Sequence, residues 1–295
     1  MRTLKLGLAL GSGGTKGAAH VGVIRVLEEA GIKIDAVAGT SIGALYGGAY
    51  AVGRSPQEID EGIRTCPNID VINFFRHRLK LRHNNRLARR FYEALAGYRI
   101  EDLPIPFATT ASDIGAHRSV TITSGPIIDA IEASIAIPMI ARPVVHQGRY
   151  LLDGGFWGSA PVDAASELGA DIVVAVELGH PYTLPPSLQA PASWLAAKMA
   201  VVPIARTLAG VPFTISAVSR TIDPGRTADV VIHPVMPRAS GNSPYGMVRC
   251  LDAGIEAARA ALPAIEALLA GESPALVARE FAPAPGIVRD AGLAT

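Results

Sequence analysis

The sequence contains little cysteine, few aromatic residues and almost no net charge. Its only two cysteines, Cys66 and Cys250, form no CxxC pair, so neither a disulfide framework nor a zinc site is indicated. Lys and Arg number 27 against 26 Asp and Glu, and the resulting net charge of +1 gives no general attraction to nucleic acid. No uncharged apolar run of about 18 residues occurs, so no membrane-spanning helix is predicted. We therefore expect no metal, no organic cofactor and no nucleic-acid partner.

Apolar residues make up 49% of the chain, which is enough to bury a sizeable core. Leu4–Leu10 and Ile34–Ala38 have the composition of buried strands, and a helical pattern follows each of them. This alternation predicts an α/β fold, a three-layer sandwich with a mainly parallel central sheet. The later predicted elements are strands at Phe107–Ser112, Ser119–Thr123, Ile172–Val176 and Asp229–Ile232, a hairpin around Gln147-Gly148, and a helix at Met247–Ala270.

Changes in composition along the chain predict its domain organisation. We expect residues 1–270 to form one domain, with a helical cap or lid inserted at about residues 55–103. The tail, 271–295, is rich in Pro and Ala and is expected to pack loosely.

A G-x-S-x-G motif, Gly39-Thr40-Ser41-Ile42-Gly43, lies where the second strand ends and a helix begins. In a nucleophile elbow the chain turns sharply and exposes a strained serine, and side chains at the flanking glycine positions would collide with nearby backbone. The motif alone is common in a chain with 30 glycines, but its position between strand and helix favours Ser41 as a nucleophile.

A glycine-rich loop, residues 11–17, follows the first strand. It fails the dinucleotide-binding pattern because Lys16 stands where a third glycine is needed, and it fails the Walker pattern as well. Backbone amides that converge in such a loop can stabilise an oxyanion, with Gly13 and Gly14 as the candidates and Thr15 and Lys16 completing the loop. A purely structural glycine turn remains the alternative.

The third motif, Asp153-Gly154-Gly155, follows an apolar strand end. Asp-Gly is also a common turn pair, and its spacing from Ser41 does not by itself bring the two residues together.

Together these motifs resemble the patatin-like phospholipases, especially the bacterial branch similar to the neuropathy target esterase domains. The resemblance covers about residues 4–180, through G-S-G-G-T-K-G-A-A-H-V-G-V, G-T-S-I-G, Glu132-Ala133-Ser134 with Ile137-Pro138, and D-G-G. One departure is Ser12, where family loops commonly carry glycine. Serine there would be strained if the position required positive φ.

The resemblance implies a patatin-like fold and a Ser41–Asp153 dyad that works without histidine on a lipid or ester substrate. Asp153 would accept the Ser41 proton and then activate water. Because an ordinary aspartate is a weak base at neutral pH, such a dyad needs a partly desolvated site and a well-stabilised oxyanion.

Two other hypotheses remain open. One is an esterase with a Ser41–Asp153–histidine triad that uses His180 or His233. The other is a lipid- or nucleotide-binding protein without catalysis that keeps the elbow only as a turn.

The segment 74–92 carries seven Arg or Lys residues and no acid. It is interpreted either as a solvated helix face or as a peripheral contact with an anionic membrane. The expected location is the cytoplasm, with peripheral membrane association as the option that this segment raises.

Overall fold

The central sheet is mainly parallel, as predicted. The computed structural model describes residues 3–64, 86–138, 140–156, 158, 160–179, 227–236 and 244–273. Hydrogen bonds connect the strands in the sequence β5-β6-β3-β2-β1-β7-β8, and β4 also pairs with β3. Pairings within β3-β2-β1-β7-β8 are parallel, whereas β4, β5 and β6 form antiparallel pairs. The strands are β1 Leu6–Leu10, β2 Ile34–Thr40, β3 Phe107–Asp113, β4 Arg118–Ile122, β5 Val144–His146, β6 Arg149–Asp153, β7 Ile172–Val176 and β8 Val230–Ile232.

Helices cover both faces of this sheet. In the described part of the chain they are α1 Ala18–Glu29, α2 Ile42–Ala51, α3 Pro56–Arg64, α4 Arg86–Leu95, α5 Ile127–Ser134, α6 Val162–Glu167 and α7 Pro244–Leu269. Short 3₁₀ turns occur at Gly14–Gly17, Ile100–Asp102 and Gly154–Phe156. The α/β sandwich predicted from the sequence is therefore confirmed.

Two cores of different character lie on the two sides of the sheet. On one side, large apolar side chains of β1 and β2 pack with helices α1, α2, α5 and α7. On the other side, alanines dominate: Ala9, Ala38 and Ala108 of three neighbouring strands meet Ala164 and Ala165 of α6. Such small side chains allow α6 to approach the sheet closely.

Strand β3 determines where the candidate site forms. Thr110 of β3 pairs with both Thr40 and Thr121, and Ala111 pairs with both Asp153 and Val120. Because β4 occupies one edge of β3 at both positions, β2 and β6 must share the other edge. The two strands therefore meet end to end, and the residue after Thr40 comes next to Asp153.

The hairpin formed by β5 and β6 has the predicted turn. Gln147 and Gly148 both have positive φ, 49° and 74°, as a tight two-residue hairpin turn requires. Since β3 continues past the end of β2 to reach β6, this hairpin stands at the carboxyl edge of the parallel strands.

Part of the predicted cap is described. Helix α3 begins with a capping box in which the Ser55 amide donates to Glu58 and the Glu58 amide donates to the Ser55 hydroxyl, at 2.8 and 3.2 Å. Helices α3 and α4 contact each other and α2. The function of 55–103 as a lid stays a prediction, since residues 65–85 lie outside the described residues.

Several other predictions fall wholly or mostly outside the described residues. They concern most of the basic segment 74–92, His180, and the tail from residue 274 onward. Among the residues that are described, no helix is both long and apolar enough to cross a membrane.

Candidate active site

Ser41 lies at a sharp turn between β2 and α2. Its φ of 55° and ψ of −120° are conformations that a residue with a side chain seldom adopts. A Cβ at position 39 would lie 2.5 Å from Ala44 Cα, and one at position 43 would collide with the Leu10 carbonyl oxygen. Glycine is therefore required at both flanking positions, as predicted for a nucleophile elbow.

The structure brings Ser41 and Asp153 into direct contact. The Ser41 hydroxyl donates to Asp153 Oδ2 at 2.5 Å. Ser41 is 4% exposed and Asp153 is fully buried, so the pair lies in a largely desolvated environment. The desolvation that a Ser–Asp dyad would need is thus present around these two side chains.

The Asp153-Gly154-Gly155 motif holds the carboxylate in place. The Gly155 amide donates to Asp153 Oδ1 at 2.8 Å, which leaves Oδ2 for Ser41. A Cβ on residue 155 would lie 2.7 Å from Ser12 Oγ and 3.1 Å from Asp153 Oδ1, so a larger residue would push on the carboxylate.

Ser134 supports the elbow. Its hydroxyl accepts a hydrogen bond from the Ser41 amide at 2.8 Å and donates one to the Thr110 carbonyl at 2.7 Å. The Asp153 backbone is fixed in a similar way, because its carbonyl accepts from the Ser112 hydroxyl at 2.8 Å and its amide donates to the Ala136 carbonyl at 2.9 Å.

Sequence reasoning missed these supporting roles. In the sequence, Ser134 stands only within a block that resembles the family, and Ser112 stands only at the end of a predicted strand. No spacing signal connects either residue to Ser41 or Asp153, because the contacts span 93 and 41 positions along the chain.

The glycine loop lies against the elbow. A Cβ on Gly17 would collide with the Ile42 side chain and would lie 2.7 Å from the Tyr46 ring. Within the described part of the chain, the Gly13 and Gly14 amides donate to no protein acceptor, so they remain available to a ligand. Thr15 and Lys16 follow in the 3₁₀ turn, and Lys16 Nζ donates to the Leu178 carbonyl at 3.2 Å.

Two buried polar side chains accompany this loop. Ser12 lies outside the positive-φ region, so the strain considered for serine at this position does not arise. Its fully buried hydroxyl has no hydrogen-bond partner among the described residues. His20 Nε2 lies 2.8 Å from the Gly11 carbonyl oxygen, and burial lowers the pKa of His20 to about 4. His20 is therefore neutral at physiological pH and donates from Nε2.

Of the two histidines considered for a triad, His233 is described, and it lies away from Ser41. His233 follows β8, which is separated from β2 by β1 and β7 in the sheet. Three spacings between neighbouring strands, at about 4.8 Å each, put His233 roughly 14 Å to the side of the elbow. His180 lies outside the described residues.

A comparison with models of known families identifies the family of this chain. A family model described as Patatin-like phospholipase matches residues 8–166, which is more than half of the chain and includes every predicted site residue. The chain therefore belongs to the patatin-like phospholipase family.

Two relatives and one solved structure are similar to parts of this chain or to its fold. An uncharacterised NTE family protein of Mycobacterium tuberculosis is 35% identical over 177 residues, which cover 59% of this chain and 49% of that one. A lysophospholipase of Mycosarcoma maydis is 35% identical over 184 residues, covering 60% of this chain and 10% of the other. The crystal structure of VipD from Legionella pneumophila superimposes with a TM-score of 0.51 at 16% identity, over 89% of this chain and 67% of that one, and this likeness concerns the fold alone.

The matched region thus spans about half or less of these relatives' length. The names of these relatives refer to the whole proteins, most of which have no counterpart in the matched region.

Proposed function

We propose that this protein is a serine acyl hydrolase that cleaves lipid carboxylic esters, of the phospholipase A or lysophospholipase type. The observation that carries the proposal is the 2.5 Å hydrogen bond from the Ser41 hydroxyl to Asp153 Oδ2, in a site where both residues are buried. Relatives named as lysophospholipases support a lipid substrate.

Acylation begins when Ser41 Oγ attacks the ester carbonyl carbon and Asp153 Oδ2 takes the hydroxyl proton. The charge that develops on the carbonyl oxygen is stabilised by the Gly13 and Gly14 amides, each such donor being typically worth about 3–4 kcal/mol. The ester C–O bond then breaks, and Asp153 returns its proton to the leaving alcohol.

Deacylation repeats the same proton transfers with water. Asp153 accepts a proton from the attacking water, the acyl–Ser41 bond breaks, and the proton returns to Ser41 Oγ. The second carboxylate oxygen stays bonded to the Gly155 amide, so the base keeps its orientation through both halves of the reaction. No histidine is needed in this sequence.

The test compares the wild type with Ser41→Ala and Asp153→Asn on p-nitrophenyl butyrate, lysophosphatidylcholine and diacyl phosphatidylcholine. Both variants should lose at least about a thousandfold in kcat/KM, as is typical when a catalytic nucleophile or base is removed. A fluorophosphonate probe should label the wild type at Ser41 and should not label Ser41→Ala.

Asp113→Asn is the matched control. Asp113 is also a buried carboxylate near the carboxyl edge of the sheet, but it caps the turn at Gly115 and lies 3.9 Å from Arg149. This variant should keep its activity on the soluble ester. Undiminished turnover in Ser41→Ala, or no probe labelling of an otherwise folded wild type, would refute the proposal.

A further inference from the structure

The hairpin β5–β6 exposes a pair of large apolar side chains beside the candidate site. Val145 and Tyr150 are register partners across the two strands and are 61% and 62% exposed. Register partners point to the same face of a sheet, so the two side chains form one continuous patch. The neighbouring pair, Val144 and Leu151, points to the opposite face and is buried.

A third exposed apolar side chain lies five residues before Val145 in the sequence. Ile140, in the connection that leads into β5, is 40% exposed. Six large apolar side chains are exposed in the described part of the chain, and three of them lie between residues 140 and 150. Patches in which exposed apolar residues cluster are characteristic of surfaces that meet a partner or a membrane.

The segment of the chain that carries this patch contains basic residues and no acidic ones. Residues 137–152 contain Arg142, His146 and Arg149 and no Asp or Glu. Arg142 and Arg149 are exposed, and Arg149 faces Asp113 at 3.9 Å. Arg149 is compensated by Asp113, whereas Arg142 makes no ion pair with another described residue. Apolar side chains combined with such a cation suit a surface that offers both hydrocarbon and negative charge.

The patch lies on the same edge of the sheet as Ser41. Tyr150 precedes Asp153 by three residues on β6, which is about 10 Å along an extended strand. The hairpin rises from the carboxyl edge, where β6 meets the end of β2. A planar partner resting on Val145 and Tyr150 would therefore stand beside the catalytic pair.

From these observations we infer that the exposed apolar side chains of Ile140, Val145 and Tyr150, together with the exposed Arg142 of the same segment, dock the protein onto an anionic phospholipid bilayer. We call this surface the hairpin patch. The inference rests on the proposed function, since a bilayer is the form in which a phospholipid substrate is presented, and it is separate from the segment 74–92.

Binding is measured by co-sedimentation with vesicles. The protein carries Ser41→Ala throughout, so that lipid is not consumed. In this background, Val145→Ser combined with Tyr150→Ser should weaken binding to vesicles of equal parts phosphatidylcholine and phosphatidylglycerol by about tenfold or more. Arg142→Glu should weaken it by at least about fivefold, and should have much less effect with pure phosphatidylcholine.

Matched controls come from surfaces away from the hairpin patch. Val235→Ser removes an apolar side chain that is 88% exposed beyond β8, at the opposite side of the sheet. Arg259→Glu reverses an exposed charge on α7. Both control variants should bind vesicles like the parent protein.

Each result bears on one proposal. In the wild-type background, the Val145 and Tyr150 double variant should hydrolyse p-nitrophenyl butyrate at an unchanged rate, since this ester is monomeric in solution. If that variant binds vesicles as well as its parent, the hairpin patch is not a membrane surface, while the proposed function stands. If the wild type binds vesicles but hydrolyses no ester, the proposed function fails and the docking surface stands.

A second copy of the chain is the competing occupant of the hairpin patch. If the wild type elutes as a dimer on gel filtration, the double variant elutes as a monomer and vesicle binding is unaffected, then the patch is a self-association surface and the membrane inference is overturned.

Discussion

Two buried serines near the elbow, Ser134 and Ser12, are expected to respond differently in stability to the same substitution by alanine. Ser134 and Ser12 are both fully buried, but the Ser134 hydroxyl makes two hydrogen bonds and the Ser12 hydroxyl has no partner among the described residues. Replacing each with alanine removes one oxygen atom. The stabilities of Ser134→Ala and Ser12→Ala should therefore differ.

The expected magnitude follows from the groups left behind. Ser134→Ala leaves the buried Ser41 amide without an acceptor, and an unsatisfied buried donor costs about 1–3 kcal/mol of folding free energy. Ser12→Ala removes a buried hydroxyl that gains nothing from the fold, so its effect should be neutral or stabilising. We expect Ser134→Ala to be less stable than Ser12→Ala by at least about 1 kcal/mol.

If the elbow relaxes in Ser134→Ala, the substitution should lower activity more than it lowers the free energy of unfolding. Ser41 holds a strained backbone, and strain of this kind stores about 1–3 kcal/mol. If the elbow relaxes, some stability returns, but Ser41 leaves the position in which it meets Asp153. Activity on a soluble ester should then fall even where stability does not.

Urea unfolding followed by circular dichroism measures the stabilities, and kcat/KM on p-nitrophenyl butyrate measures the geometry of the elbow. Equal stabilities for the two variants, together with wild-type activity for Ser134→Ala, would show that the hydrogen bond from the Ser41 amide to Ser134 stabilises neither the fold nor the conformation of the elbow.

Two further predictions concern packing and pH. Gly43→Ala should destabilise the fold by at least about 3 kcal/mol, because its Cβ would collide with the Leu10 carbonyl oxygen. Gly62 lies at a half-buried position near the end of α3, and a Cβ added there would meet no neighbouring atom within 4 Å, so Gly62→Ala should stabilise the fold by up to about 1 kcal/mol. Similar melting temperatures for the two variants would contradict this. Burial lowers the pKa of His20 to about 4, so between pH 6.5 and 4 the unfolded chain binds a proton at this residue that the folded chain does not. The contribution of His20 to the free energy of unfolding is therefore complete above pH 6.5. It is lost on acidification below that pH, at about 1.4 kcal/mol per pH unit. His20→Gln should remove that part of the pH dependence in urea titrations at pH 7 and pH 5, and an unchanged slope would count against the assignment.

Much of the fold follows from local pattern. The apolar runs at Leu6–Leu10 and Ile172–Val176 are buried on every residue, as an uninterrupted hydrophobic segment predicts for a central parallel strand. The helix predicted at Met247–Ala270 is observed at Pro244–Leu269. Local signals mark other helix ends, since Ser55-Pro56 stands at the start of α3 and Gly31 stands just after the end of α1. The glycines at 39 and 43 are local requirements too, since a tight turn constrains the residues within it.

The sequence by itself therefore determined the α/β class, the turn that carries Ser41 and the strand end that carries Asp153, because each of these depends on residues that are neighbours in the chain. Only the tertiary structure decided that the two side chains touch. That contact requires β2 and β6 to share one edge of β3, and pairing between strands separated by about a hundred residues leaves no periodic trace in either strand. The support from Ser134, the unpartnered hydroxyl of Ser12 and the exposed pair on the β5–β6 hairpin arise in the same way, from contacts and exposures that exist only once the sheet has assembled.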